Sequence, residues 1–190
     1  MDLLKKLALE EDFGFETFND PVLKQMLLES QESIARLFDK DYRWLVFSGP
    51  TEVGKTHLIK GIRSFVQRYN ESISLKEKFN YPFYMYFTWP ELIEKLMSKE
   101  ITVDHLRNIG GLFIEEFLAN NYSVPNAFTI IEINKAQEVL NARMGKYTVI
   151  DTNKSINEIQ KIDPRIASRL LRDKAVLVDI PSGTEGFLTR

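Results

Sequence analysis

Short, continuous apolar runs recur along the chain, and between them apolar residues are spaced three or four apart. Five runs are rich in strand-forming residues: 44–47, 83–87, 112–114, 147–150 and 175–178. The segments with helical spacing are 22–38, 57–69, 90–99, 128–144 and 163–171. Runs that are apolar throughout are typical of parallel strands buried on both faces. The pattern therefore predicts an α/β protein, a three-layer α/β/α fold around a five-stranded parallel sheet.

One glycine-rich stretch joins the first predicted strand to the helix that follows it. It reads Gly49-Pro50-Thr51-Glu52-Val53-Gly54-Lys55-Thr56, which fits the phosphate-binding pattern G-x-x-x-x-G-K-[ST]. In this position the backbone N–H groups point at a phosphate, and the helix N-terminus adds partial positive charge. We expect Lys55 to reach the β- and γ-phosphates and the Thr56 hydroxyl to bind Mg²⁺. The stretch predicts a P-loop at the carboxyl edge of the sheet.

The first residues of the chain precede this pattern. Residues 1–20 contain a short amphipathic piece and then three phenylalanines around Gly14. We expect an N-terminal arm over 1–20 that packs on a nucleotide-binding domain over 21–190. The aromatic residues of the arm either line the adenine side of the P-loop site or pack in the core, and core packing is the simpler interpretation.

Composition narrows the class of protein further. The 190 residues carry a net charge of −2, so the chain as a whole has no strong attraction to nucleic acid. The absence of cysteine excludes disulfides and thiolate metal ligands. No apolar run reaches the length of a membrane span, and the N-terminus lacks the apolar core of a signal peptide. We expect a cytoplasmic protein with no membrane partner.

Acidic and amide side chains follow two of the predicted strands. Glu115 and Glu116 come after 112–114, and Asn153 follows 147–150. Beside a P-loop, acids at a strand end hold Mg²⁺ and orient the attacking water. We expect Glu115 to contact the metal through a water and Glu116 to polarise the nucleophile. Asn153 either holds the attacking water or the γ-phosphate, or is an ordinary turn residue.

Basic side chains occur in two settings that each allow two interpretations. Arg165 and Arg169 lie four apart on one face of a predicted helix. They fit an arginine finger supplied to a neighbouring subunit and a solvated helix face about equally well. The second setting is a set of basic and aromatic residues that could line a path for single-stranded DNA: Lys95, Lys99, Arg107 and Tyr122. Scattered surface charges are the simpler interpretation of these residues.

Taken together, these motifs resemble the AAA+ ATPases of the DnaC/DnaI helicase-loader group, whose relatives include IstB transposition helpers and DnaA initiators. The resemblance covers roughly residues 15–180. It rests on the P-loop with His57 and Leu58, on 111–117 in the Walker B position, on 148–153 as the sensor 1 strand, and on Ser168-Arg169-Leu170. It implies a sheet of order 5-1-4-3-2 that binds ATP or ADP with Mg²⁺ at residues 49–56 and at His57. It also implies that Asn153 is the sensor 1 residue and Arg169 the arginine finger. It further implies self-association through Arg169, slow ATP hydrolysis, and a replicative DNA helicase and single-stranded DNA as partners.

The sequence departs from that group in several places. Glu52 stands where the group usually has Gly, and Glu115 is one methylene longer than the usual Asp. Few residues precede the shared core, so we expect either a truncated N-terminal region or a different way of binding the partner. Few residues follow the last strand, so we expect no helical lid and no sensor 2 arginine.

Three alternatives to helicase loading stay open. The chain could be a nucleotide-switched binding module with little hydrolysis, which Glu52 and Glu115 favour. It could be an IstB-like transposition helper. A P-loop kinase or other transferase is a weaker alternative, because the sequence offers neither an acceptor pocket nor an Arg-rich lid.

Overall fold

A parallel five-stranded sheet forms the centre of the molecule. The computed structural model describes residues 43–180, with gaps at 52, 57–58, 61, 64–83, 120–128 and 173–174. The strands are β1 (Trp44–Ser48), β2 (Tyr84–Thr88), β3 (Gly111–Glu115), β4 (Tyr147–Thr152) and β5 (Val176–Asp179). They pair in the order β2-β3-β4-β1-β5, and all four pairings are parallel. This is the predicted order 5-1-4-3-2 read from the other edge, so the expected fold class is confirmed. The predicted arm over 1–20 and the helix over 22–38 lie outside the described residues.

Five helices connect these strands within the described residues: α1 (Trp89–Met97), α2 (Val103–Asn108), α3 (Ile130–Ala142), α4 (Ile156–Ile162) and α5 (Pro164–Leu170). Residues 55–56, 59–60 and 62–63 are also helical and follow the P-loop directly. Each of the five begins at a side-chain cap, which satisfies backbone N–H groups that have no partner within the helix. The caps are Thr88, Thr102, Thr129, Ser155 and Asp163.

The core lies on both faces of the sheet, as the continuous apolar runs predicted. All five residues of β1 and of β3 are buried, which places these strands in the interior. The Trp89 ring packs edge-on against Phe117, with 4.7 Å between ring centroids. Within the part of the chain that the structure describes, no helix is long and apolar enough to cross a membrane.

Arg143 organises the amino edge of the sheet, opposite the P-loop. Its side chain is fully buried, and burial lowers the pKa of its guanidinium to about 10. The guanidinium donates to the Thr148 hydroxyl and to four backbone carbonyls, those of Leu106, Ile109, Gly110 and Tyr147. These bonds join the connection between α2 and β3 to the start of β4. They hold the amino ends of β3 and β4, the two strands whose carboxyl ends lead to the predicted site residues Glu115, Glu116 and Asn153.

Candidate functional site

The P-loop leaves β1 at the carboxyl edge of the sheet and lies against the end of β5. The Ile180 N–H donates to the Ser48 carbonyl at 2.9 Å. Gly49 has φ +133°, and a Cβ placed on it would lie 2.6 Å from the Ile180 oxygen. A side chain at this position would therefore collide with backbone, so glycine is required here. Gly54, at φ +92°, has open space around it, and its backbone conformation is the reason for glycine.

Lys55 turns its amine back onto the loop that precedes it. The side chain is only 3% exposed, and its Nζ donates to the carbonyls of Gly49, at 3.1 Å, and Pro50. Burial lowers the pKa of the Lys55 amine, while the nearby Asp151 carboxylate acts in the opposite direction. The hydrogen-bond partners of this cation are neutral carbonyls. Phosphate oxygens would be stronger partners, because a hydrogen bond between two charged groups is roughly twice as strong as a neutral one.

Asp151, near the end of β4, joins the P-loop to the segment that follows β3. Its Oδ2 accepts from the Thr56 hydroxyl at 3.1 Å, and its Oδ1 accepts from the Glu116 backbone N–H. The Asp151 carbonyl accepts from the Phe117 N–H at 2.8 Å. Burial raises the pKa of the Asp151 carboxyl to about 6; the bond from Glu116 opposes this, and the Glu115 charge adds to it. Asp151 is thus a buried acid at the centre of the predicted site, and it is not among the site residues predicted from the sequence.

Glu115 is the last residue of β3 and points into the interior. It is 4% exposed, and its Oε1 is buried without a hydrogen-bond partner among the described residues. Burial and then the adjacent Glu115 carboxylate raise the pKa of Tyr86 on the neighbouring strand. The Arg63 guanidinium, from the helix after the P-loop, lies 4.1 Å from the centroid of the Tyr86 ring. A buried carboxylate oxygen without a partner is costly, and a bound cation would satisfy it.

Glu116 has a different environment from its neighbour. Its side chain is exposed, and its backbone has φ +54°, a left-handed conformation that is uncommon for a residue other than glycine. The hydrogen bonds that the Glu116 and Phe117 N–H groups donate to Asp151 hold the backbone there. The conformation turns the chain sharply after β3, so that consecutive acids face opposite ways, Glu115 inward and Glu116 toward solvent.

The oxygens at this edge fit Mg²⁺. The hydroxyl of Thr56 and the carboxylates of Glu115 and Asp151 are hard oxygen ligands, and Mg²⁺ is usually held by one or two carboxylates together with phosphates and waters. Among the residues that the structure describes, no three His, Cys, Asp or Glu side chains are grouped so that they could hold a metal ion. The edge therefore suits a cation that arrives with a phosphate.

The remaining predicted site residues are more dispersed. Asn153 lies just beyond β4 with an exposed side chain. Arg169, on α5, is half-buried and bonded within its own chain: its Nε donates to Asn141 Oδ1 at 2.5 Å and its Nη1 to the Arg165 carbonyl at 3.1 Å. Arg165 in turn binds Asp163, with 2.8 Å between Nη2 and Oδ2. Glu52 and His57 lie outside the described residues.

The fold and this edge define a P-loop nucleotide-binding domain of the AAA+ type. The sequence profile described as the bacterial DnaA ATPase domain matches residues 9–176. The chain therefore belongs to the family of bacterial DnaA ATPase domains. No curated protein matches it.

Several solved structures with the same fold are of replication proteins. Domain III of the Thermotoga maritima replication initiation protein DnaA has a TM-score of 0.60 and 18% identity, over 90% of this chain and 68% of that one. A putative primosome component from Streptococcus pyogenes serotype M3 has a TM-score of 0.59 and 15% identity, over 88% and 82%. The DnaC helicase loader has a TM-score of 0.55 and 19% identity, over 80% and 88%. The chain spans only 45% to 49% of three other matching replication initiators, about half their length.

Proposed function

We propose that this chain binds ATP with Mg²⁺, hydrolyses it slowly, and uses it to load or remodel a replicative DNA helicase on single-stranded DNA. Membership of the DnaA ATPase domain family supports the nucleotide chemistry. The likeness to a DnaC helicase loader, and to a DnaA bound to AMPPCP and single-stranded DNA, supports the choice of partners. The observation that carries the proposal is the edge of the sheet where the buried Lys55 amine and the Thr56 hydroxyl lie beside the buried Asp151 carboxylate, with buried Glu115 at the end of the adjacent strand.

In this proposal each residue of the edge has one task. The loop over 49–56, with His57, surrounds the phosphates, and the Lys55 amine exchanges its carbonyl partners for the β- and γ-oxygens. Thr56 and Glu115 hold Mg²⁺, which neutralises phosphate charge when bound. Exposed Glu116 orients the attacking water, and Asn153 contacts that water or the γ-phosphate. Positioning and charge neutralisation then supply most of the catalysis.

Arg169 is the proposed finger that completes the site of a neighbouring subunit. Its present partners, Asn141 and the Arg165 carbonyl, are groups of its own chain. To reach a neighbour's γ-phosphate, the guanidinium has to leave both of them. We therefore infer that hydrolysis depends on self-association, which provides the anion that replaces these contacts.

Within the family we place the chain with the DnaC/DnaI loaders, because Ser168-Arg169-Leu170 and the P-loop followed by His57 resemble that group. The DNA contact has weaker support. Lys95 is paired with Glu100 and Arg107 with Asp104, so the charges of the suggested DNA path are partly neutralised. An IstB-like helper is the alternative here. Capture of a purified replicative helicase with ATP, but not without it, would favour the loader; capture of a transposase alone would favour the helper.

A second candidate function is a nucleotide-switched binding module with little hydrolysis. The specific observation in its favour is the crowding of acids, since Glu115, Glu116 and Asp151 all lie at the ends of two adjacent strands. Their combined charge opposes the approach of hydroxide or of a polarised water. This candidate predicts tight nucleotide binding and no turnover at any protein concentration.

The deciding experiment is ATP turnover per subunit, measured against protein concentration. Lys55→Ala is paired with Lys60→Ala, an exposed lysine on the same helix, and Arg169→Ala with Arg172→Ala, an exposed arginine near the end of α5. We expect turnover per subunit to rise with concentration and to fall in Lys55→Ala and Arg169→Ala only. Turnover that is independent of concentration and survives Arg169→Ala would exclude the finger. Nucleotide binding without turnover would favour the switch.

A further inference from the structure

We infer that Asp151 is a positioning residue of the magnesium site: it orients Thr56 and adds a second buried carboxylate beside Glu115. The inference rests on the proposed function and assigns a role to an acid of β4, a strand for which the resemblance implied only Asn153. The 3.1 Å bond from the Thr56 hydroxyl to Asp151 Oδ2 is its main observation.

The orientation follows from the chemistry of a hydroxyl group. Thr56 Oγ1 has one hydrogen to donate and two lone pairs that can accept or bind a cation. When the hydrogen is directed at Asp151, the lone pairs face away from that carboxylate. A hydroxyl held in this way can bind Mg²⁺ while still donating to Asp151. Groups that orient metal ligands commonly change metal affinity by about 10–100-fold when they are replaced.

Asp151 is itself held rigidly. Its Oδ1 accepts from the Glu116 N–H, and its backbone carbonyl accepts from the Phe117 N–H at 2.8 Å. Three bonds to two segments fix the carboxylate relative to both the P-loop and the end of β3. Thr152 adds a fourth connection, since its hydroxyl donates to the Phe117 carbonyl at 2.8 Å. Because Asp151 is held this firmly, the Thr56 hydroxyl that it orients suits a cation whose coordination geometry is strict, as that of Mg²⁺ is.

The charge of Asp151 acts in opposite directions on the nucleotide and on the metal. A buried carboxylate next to the P-loop repels phosphates that arrive without a cation, and it attracts a cation that accompanies them. Removing the charge should therefore improve or preserve metal-free binding and weaken the gain that Mg²⁺ gives. A residue with a purely structural role would alter binding equally under both conditions.

The test is the affinity for a fluorescent ADP analogue, titrated in EDTA and over a range of Mg²⁺ concentrations. Asp151→Asn has the same shape as Asp151: its Oδ1 still accepts from Glu116, and its Nδ2 can donate to Thr56. We expect the gain in affinity from Mg²⁺ to fall at least tenfold, with affinity in EDTA unchanged or higher. Asp179→Asn is the matched control, because Asp179 also ends a strand of the sheet, the edge strand β5, and accepts from Ser48; it should leave both affinities unchanged.

A double-mutant cycle with Thr56→Val tests whether Asp151 acts through the threonine. Valine has the shape of threonine without the hydroxyl, so Asp151→Asn should reduce the effect of Mg²⁺ much less when it is combined with Thr56→Val. Mg²⁺ dependence unchanged by Asp151→Asn, or an equal loss in EDTA and in Mg²⁺, would overturn the inference. If the unaltered chain binds no nucleotide under either condition, the proposed function fails and the inference falls with it. If the unaltered chain binds nucleotide but gains nothing from Mg²⁺, only the inference fails.

Discussion

Replacing Asp151 with Asn should make the nucleotide-free protein more stable, by an amount that depends on pH. The folded chain holds the pKa of this carboxyl at about 6, whereas an unfolded Asp has a pKa of about 3.9. As pH rises from about 4, the unfolded chain loses its proton first, and the folded state loses stability until the pH exceeds about 6. Asn removes this effect and keeps the shape of the side chain.

The expected gain in the free energy of unfolding is about 3 kcal/mol at pH 8 and about 1.5 kcal/mol at pH 5. For a chain of this size, the gain at pH 8 corresponds to a rise in Tm of about 6–12 °C. Urea or thermal unfolding followed by the fluorescence of Trp44 and Trp89 would measure it, in EDTA and without nucleotide. Asp179→Asn serves as the control and should gain little, since Asp179 is exposed. No gain at pH 8, or the same gain at both pH values, would refute the assignment of Asp151 as a destabilising buried charge.

Three further predictions concern backbone and buried polar groups. Gly49→Ala should lower the free energy of unfolding by more than about 2 kcal/mol and weaken ATP binding. Gly145→Ala is the control: this glycine has φ +72° and open space around it, so the substitution should lower the free energy of unfolding by only about 1 kcal/mol and leave ATP affinity unchanged. Urea denaturation and nucleotide titrations of both variants would measure these effects. Arg143→Lys should cost about 3 kcal/mol or more in urea denaturation, because one ammonium cannot replace a guanidinium with five acceptors; a loss below about 1 kcal/mol would contradict this. Ser155→Ala should cost about 1 kcal/mol by removing the cap of α4, and a neutral effect would show that the capping box with Glu158 adds no stability.

Much of the fold followed from local patterns that the structure preserves. The strands were predicted because central parallel strands are apolar throughout, and α1 because the apolar spacing over 90–99 is helical. The two short helices α2 and α4 were not predicted. Each is only six or seven residues long and buries one residue, Leu106 or Ile159, so its apolar spacing covers too few positions to predict a helix. The capping box of Ser155 with Glu158 is a sequence signal for the start of α4 that does not depend on apolar spacing.

Site residues could be predicted where their role follows from their place in a motif or directly after a strand. They were harder to predict where the role depends on the exact point at which a strand ends. The P-loop and the acids at 115 and 116 could be placed at one edge because parallel strands end at the same side of a sheet. The same rule applies to Asp151, which nevertheless was passed over in favour of Asn153. Which of these two side chains faces the P-loop depends on the exact end and twist of β4. Likewise, no sequence pattern shows that Arg169 bonds to Asn141, since these residues belong to different helices.

The contact between Gly49 and the end of β5 has a consequence for how the protein is made. The P-loop is among the earlier parts of the domain to be synthesised, but Ile180, which lies against it, follows 131 residues later. β1 also pairs with β4 and β5, the two strands that are made last. At typical rates of synthesis this delay is on the order of ten seconds. During that interval the growing chain contains the P-loop but not yet the Ile180 backbone that packs against Gly49, so the loop does not yet have its finished geometry.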